Sequence, residues 1–255
     1  MNIKTLGAHN CESRNTKLAT LLIDDIIAID AGALTSSLSF PAQRKLRAIL
    51  LTHQHYDHIK DVPTIAFNFA MTWTAINVYS TPPVYQALNL ILGNNLYPNF
   101  LEFPRGNPTI KFNLIKPNEA EEIEGYSILP LPVNHSIPTV GYQVTSPDGK
   151  TVFYTGDTGP GLKDCWQRIS PQLLITEVSA PNRFEELYKG RGHLTPNLLQ
   201  EELTGFQELK GYLPQVVIVH MNPGLEAEIK GEVAAVAQSL NHPITLAREG
   251  MKIKL

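Results

Sequence analysis

An apolar run, Ala48-Ile-Leu-Leu51, is followed at once by Thr52-His53-Gln54-His55-Tyr56-Asp57-His58. Three imidazoles and a carboxylate in six positions behind a strand-like segment are hard to place as surface decoration. Neutral His and ionised Asp are ligands for divalent zinc, iron and manganese, so the segment points to a metal site. In an extended loop, His53 and His55 at i and i+2 lie on one side and can grip a single ion. Asp57 and His58, after a bend into a helix, can serve a second ion nearby. A fold that uses this loop has to bring further ligands to it from elsewhere in the chain.

Those ligands are sought where a chain leaves a sheet. His135 follows Ile128–Asn134, Asp157 follows Val152-Phe-Tyr-Thr-Gly156, and His220 follows Val216–Val219. In α/β architectures such strand ends gather at one edge and build the site. Short apolar runs at Thr20–Ile23, Ile26–Ile29, Ala48–Leu51, Ile76–Tyr79, Ser127–Leu131, Gly141–Thr145, Thr151–Tyr154, Leu173–Ile175, Val216–Val219 and Ile244–Leu246 each fit a strand. Asp24-Asp25 and Pro147–Lys150 read as hairpin turns. Helical patterns cover Pro83–Leu92, Pro196–Leu209 and Gly231–Leu240, the second opened by a Thr195 cap and a proline at its first position. Strands mixed with helices give a layered α/β domain with sheets inside and helices outside, expected as one domain over residues 1–255.

Composition narrows the function. The formal net charge of -3 leaves no basic footprint, which disfavours binding to duplex nucleic acid. Two cysteines, Cys11 and Cys165, make no disulfide framework and read as small residues in a reducing compartment. The N-terminal stretch lacks the apolar core of a signal peptide, and no segment is apolar enough to span a membrane, so a soluble cytoplasmic protein is expected. A homodimer is compatible with these features.

The order His-x-His-x-Asp-His, then His135, then Asp157 in Gly-Asp-Thr, then His220 resembles the metallo-β-lactamase fold from Gly7 to the last strand. That resemblance implies a four-layer αββα sandwich with two divalent metal ions, zinc first, with manganese and iron also accepted. It places His53, His55 and His135 on one metal and Asp57, His58 and His220 on the other. Asp157 bridges them, usually with a hydroxide. Asp30 matches a structural position under the site. Two divalent cations against two carboxylates and a hydroxide leave a positive centre, suited to an anionic substrate.

Two further segments are similar to the phosphodiesterase branch of that fold, which includes tRNA 3'-processing nucleases and class II cyclic-nucleotide phosphodiesterases. The first joins Glu177 of Leu173–Ser179 to His193 of Gly192-His-Leu-Thr-Pro196. The resemblance implies that His193, oriented by Glu177, approaches the scissile phosphate, so Asp57, Glu177 and His193 are the candidate catalytic residues. A blander reading has His193 capping the following helix and Glu177 solvated. The second segment, Leu92–Phe100, and Ser13–Thr16 match the cyclic-nucleotide group, although Tyr97 and Asn99 stand where that group has Trp and Asp. Tyr97, Phe100 or Phe103 is then available to stack on a base. The expected reaction is attack of a metal-bridging hydroxide on a small anionic phosphodiester, a cyclic nucleotide first. The alternatives are an RNase Z-like endoribonuclease, for which no basic arm is visible, a thioesterase or lactonase, and a di-iron oxygen-binding or redox protein.

Overall fold

Ala48, Ile49 and Leu50 are fully buried and form a strand with neighbours on both sides, Ile27–Ile29 and Ile76–Ser80, both parallel to it. The computed structural model describes residues 1–94 and 97–255; Leu96, part of the loop singled out above, lies outside them. The first sheet runs Lys252–Lys254, Asn2–Gly7, Thr20–Ile23, Ile27–Ile29, Ala48–Leu50, Ile76–Ser80, Ile110–Leu114. The second runs Ile244–Leu246, Gln215–Val219, Leu173–Glu177, Thr151–Tyr154, Thr139–Thr145, Tyr126–Val133, Glu121–Ile123.

Both sheets have the same internal plan. In the first sheet the pairings from Lys252–Lys254 across to Ile27–Ile29 are antiparallel and those from there to Ile110–Leu114 are parallel; in the second the pairings from Glu121–Ile123 across to Thr151–Tyr154 are antiparallel and those from there to Ile244–Leu246 are parallel. Asp30 follows the first of these switch strands directly, and Asp157 lies three residues past the second. Sequence inspection shows no repeat because the two halves share pairing geometry and not residues.

Side-chain alternation along the strands separates two apolar layers. Leu21, Ile23, Ile27, Ile29 and Leu50 face the second sheet, whereas Leu22, Ala28, Ile49 and Leu51 pack with Ile65, Phe69, Val84 and Leu88. The latter four come from the helices Val62–Ala70 and Pro82–Gly93. On the far side, Trp166, Leu199, Leu203, Phe206, Ile229 and Val233 belong to helices Lys163–Arg168, Pro196–Lys210 and Glu226–Ser239 and cover the second sheet. Trp166 meets Phe153 and Phe206 edge-on at 5.9 and 5.3 Å, contacts of about 0.5–1.5 kcal/mol each beyond their burial. The result is the four-layer αββα sandwich of the metallo-β-lactamase type.

Several local expectations change. Four strands escaped the apolar-run reading: Asn2–Gly7, Ile110–Leu114, Glu121–Ile123 and Lys252–Lys254. The first and second interleave polar residues with apolar ones, and the last two are edge strands of three residues. The helix expected from Gly231 starts at Glu226. Thr195 has N-cap backbone geometry, but its hydroxyl donates to Glu185 Oε2 at 3.3 Å instead of capping the helix. The Asp24-Asp25 turn has both residues at positive φ, as a tight hairpin requires. Among the described residues no helix is long and apolar enough to cross a membrane.

Candidate metal centre

Strand ends deliver the candidate residues to one place. His53 leaves Ala48–Leu50 through Thr52, Asp57 and His58 sit on the short helix Tyr56–Ile59, and Asp157 and His220 follow strands of the second sheet. Two clusters share Asp157, His53/His55/His135/Asp157 and Asp57/His58/Asp157/His220, and a third group, Glu177/His193/His220, shares His220 with the second. In the first, His55 Nδ1 lies 3.0 Å from His53 Nε2 and 3.2 Å from His135 Nε2, with His53 Nε2 3.7 Å from Asp157 Oδ2. In the second, His58 Nε2 is 3.5 Å from Asp57 Oδ2 and 3.3 Å from Asp157 Oδ1; His220 Nε2 lies 3.3 and 3.4 Å from the same two oxygens. Asp157 therefore offers one oxygen to each cluster.

These spacings test whether a cation fits. Four ligands at 2.0–2.1 Å around a tetrahedral zinc stand about 3.4 Å apart, close to every separation above. His58 Nε2 and Asp157 Oδ1 are buried with no hydrogen-bond partner among the described residues, although they face each other. Buried orphan atoms of this kind call for an ion or water between them. Three imidazole nitrogens pointing at one another are likewise better served by a shared cation than by protons. The residues fit two divalent ions.

Four of the five rings are held from behind, as metal-ligating histidines usually are. His53 Nδ1 pairs with Thr52 Oγ1 at 2.9 Å, His58 Nδ1 donates to Asp30 Oδ2 at 2.7 Å, His135 Nδ1 donates to the Gly192 carbonyl at 2.8 Å, and His220 Nδ1 pairs with Ser179 Oγ at 2.8 Å. Asp30 is fully buried and also accepts from Thr52 N, Thr52 Oγ1 and Tyr154 OH. Gly192 has φ +74°, and a Cβ there would meet His135 Cα at 2.7 Å, so only glycine brings this carbonyl to the ring. Sequence reading missed Thr52, Ser179 and the Gly192 carbonyl. Their only sequence signal is position: one residue before His53, two after Glu177, one before His193.

The Glu177–His193 pair borders both clusters. Glu177 is fully buried and accepts from His193 Nδ1 at 2.6 Å and from Thr158 N at 2.9 Å. The His193 ring stacks on His220 at 5.6 Å and meets His135 edge-on at 4.9 Å. This geometry excludes the reading of a solvated Glu177 and a helix-capping His193. The aromatic loop also changes: Phe100 is 1 % exposed and packs in the core beside Phe67, so it cannot stack on a ligand, whereas Tyr97 and Phe103 are 36 and 53 % exposed.

Charge in the site is organised around burial. Burial and neighbouring histidines push His53, His55 and His135 below the ordinary histidine value of 6.5. For His58 the burial penalty is outweighed by Asp157 and Asp30, and its pKa rises. His193 likewise overcomes burial through the Glu177 carboxylate and is pushed up to about 9. Asp57 and Asp157 are held below the carboxylate range because adjacent imidazoles outweigh burial.

The signs fix a stability profile for metal-free protein. Groups with lowered histidine pKa cost stability as pH falls below 6.5, where only the unfolded chain takes up the proton. Groups with raised pKa stabilise below 6.5, and that contribution is lost as pH rises toward about 9 for His193. With chelator present, the urea midpoint should therefore peak near pH 6.5. Adding zinc should move the peak to higher pH, because ligation needs deprotonated histidines. A chelated protein whose midpoint climbs steadily from pH 6.5 to 9 would contradict these shifts.

Residues 21–221, which contain every candidate ligand, match the β-lactamase superfamily domain. The chain belongs to the β-lactamase superfamily. Within that superfamily it carries candidate His and Asp ligands for divalent ions. It is 25 % identical over 221 residues to a 3',5'-cyclic-nucleotide phosphodiesterase of Aliivibrio fischeri, a match covering 73 % of this chain and 61 % of that protein. This superfamily member thus spans about three fifths of that relative's length. Its fold is shared with unliganded yeast PDE1 at a TM-score of 0.85 and 16 % identity, over 100 % of this chain and 99 % of that one. It is also shared with the metallo-β-lactamase fold protein YhfI of Bacillus subtilis, at a TM-score of 0.78 and 18 % identity, over 99 and 98 % of the two chains.

Proposed function

We propose that this protein is a divalent-metal-dependent phosphodiesterase acting on a small anionic substrate, with a cyclic nucleotide as its first candidate. The observation that carries this reading is the placement of the His193–Glu177 pair against both clusters at once. The likeness to the Aliivibrio fischeri phosphodiesterase supports the substrate class.

His53, His55, His135 and Asp157 would hold one cation, and Asp57, His58, His220 and Asp157 the other. When bound, the cations supply positive charge for phosphoryl oxygens and acidify water at neutral pH. The protein's own groups do the rest. Asp57 stays ionised and orders the second cluster from its more exposed edge. Glu177 fixes His193 through Nδ1, which leaves the Nε2 proton as the one His193 can give. A cationic His193 offers that proton to a phosphoryl oxygen or to the departing ribose oxygen. Thr158 N–H shares the Glu177 carboxylate and keeps it from turning away. Tyr97, beside Phe67, and Phe103 are exposed and are left as the aromatic groups available to a base. The net charge of -3 favours a mononucleotide over a long RNA.

Metal-loaded protein is expected to cleave bis(p-nitrophenyl) phosphate and then, in a panel, a cyclic mononucleotide in preference to short RNA. Cleavage of thioesters or lactones with no phosphodiester turned over would overturn this reading.

A further inference from the structure

Two buried carboxylates hold the histidines of this site in the same pattern. Asp30 takes His58 Nδ1–H directly at 2.7 Å and reaches His53 through the Thr52 hydroxyl, which donates to Asp30 at 2.9 Å and pairs with His53 Nδ1 at 2.9 Å. Glu177 takes His193 Nδ1–H directly at 2.6 Å and reaches His220 through a second hydroxyl, that of Ser179. Ser179 Oγ lies 2.6 Å from Glu177 Oε2 and 2.8 Å from His220 Nδ1, and the residue is fully buried.

The direction of this relay is forced by the inventory of donors. A carboxylate oxygen accepts, so the single hydroxyl proton of Ser179 goes to Glu177 Oε2 at 2.6 Å in preference to the His220 carbonyl, the other acceptor in reach at 3.3 Å. Oγ is then left to accept, so Nδ1 of His220 has to carry its ring proton. That tautomer leaves the Nε2 lone pair facing Asp57 Oδ2 and Asp157 Oδ1, the arrangement a cation requires. The backbone of Ser179 adds a mechanical link. Its N–H donates to the Leu194 carbonyl, next to His193, and its carbonyl accepts from Asn222 N, two residues past His220. His220 itself has φ +60°, a left-handed conformation that costs a non-glycine residue free energy and persists only where its surroundings hold it.

We propose that Ser179 is a positioning residue that sets the tautomer and ring plane of His220 for the second cation while keeping it in register with His193. This rests on the two-cation part of the proposed function and is independent of the substrate. Thr52 plays the matching part for His53 at the first cation, so the two hydroxyls divide the centre between them.

The test uses the full chain, stripped with chelator and titrated with Co2+ by visible absorption, with stoichiometry checked by equilibrium dialysis. Two binding steps are expected in the unaltered protein. Ser179→Ala should weaken one of them by about 10–100-fold and leave the other in place, Thr52→Ala should weaken the complementary step, and Ser179→Thr should restore what Ser179→Ala loses. A thermal melt of the chelated variants confirms that each is folded. The assignment is overturned if Ser179→Ala leaves both steps unchanged, if it weakens both alike, or if Ser179→Thr binds as poorly as Ser179→Ala. Two normal Co2+ steps in a protein that cleaves no phosphodiester would remove the proposed substrate and leave the assignment of Ser179 standing.

Discussion

Replacing Asp157 with alanine is expected to lower bound metal at both clusters and to reduce phosphodiester turnover by at least about 10³-fold. The reason lies in how its carboxylate is divided: Oδ2 faces His53, and Oδ1 faces His58 and His220. Among the described residues no other candidate ligand belongs to both clusters. Removing it takes one donor from each and also removes a buried negative charge that balances the cations. Asp57→Ala is a useful contrast, because Asp57 belongs to the second cluster alone and its loss should spare the first. Elemental analysis of the purified variants decides the matter. Retention of two metals per chain in Asp157→Ala would refute a bridging role.

His193→Ala should behave in the opposite way, keeping two metals while kcat falls by about 10²–10⁴-fold, the usual range for losing a general acid. His193 sits beside the clusters without belonging to either of the two that Asp157 joins. Its Nδ1 is committed to Glu177, so its loss removes a proton donor and no member of the two clusters that share Asp157. The alkaline limb of the pH–rate profile, which reports the loss of the His193 proton, should vanish in this variant and shift in Glu177→Gln. Equal metal loss in Asp157→Ala and His193→Ala would contradict this division of roles.

The parts of the site that sequence reading reached share one property: ligand-type residues in places where few other roles explain them. His53, His55, Asp57 and His58 are legible because four ligand types fall within six residues behind an apolar run. His135, Asp157 and His220 are each unremarkable alone and become legible as strand ends. Thr52 and Ser179 were not legible, since hydroxyl residues are common and nothing in their spacing marks a relay through a carboxylate. Phe100 was misjudged for a related reason, because an aromatic residue in an irregular loop gives no sign of whether it turns inward, and here it is 1 % exposed. The fold was read from its buried strands. Asn2–Gly7 stayed hidden because Lys4 and Thr5 interrupt its apolar pattern, although the strand pairs on both sides.

The spacing of the candidate ligands along the chain also bears on how the protein is made. Four of the seven lie between residues 53 and 58, and the last is His220. During synthesis the His53–His58 segment leaves the ribosome long before His220 does, and it already carries enough imidazole and carboxylate to hold an ion loosely. An ion caught there takes donors that the finished protein assigns to two different clusters, so it has to be redistributed when the second sheet forms. Metal bound to the incomplete or unfolded chain also lessens the stabilisation that metal lends the native state. Refolding in excess zinc should therefore be slower than refolding with chelator followed by metal, with the early segment acting as a competing host for the ion.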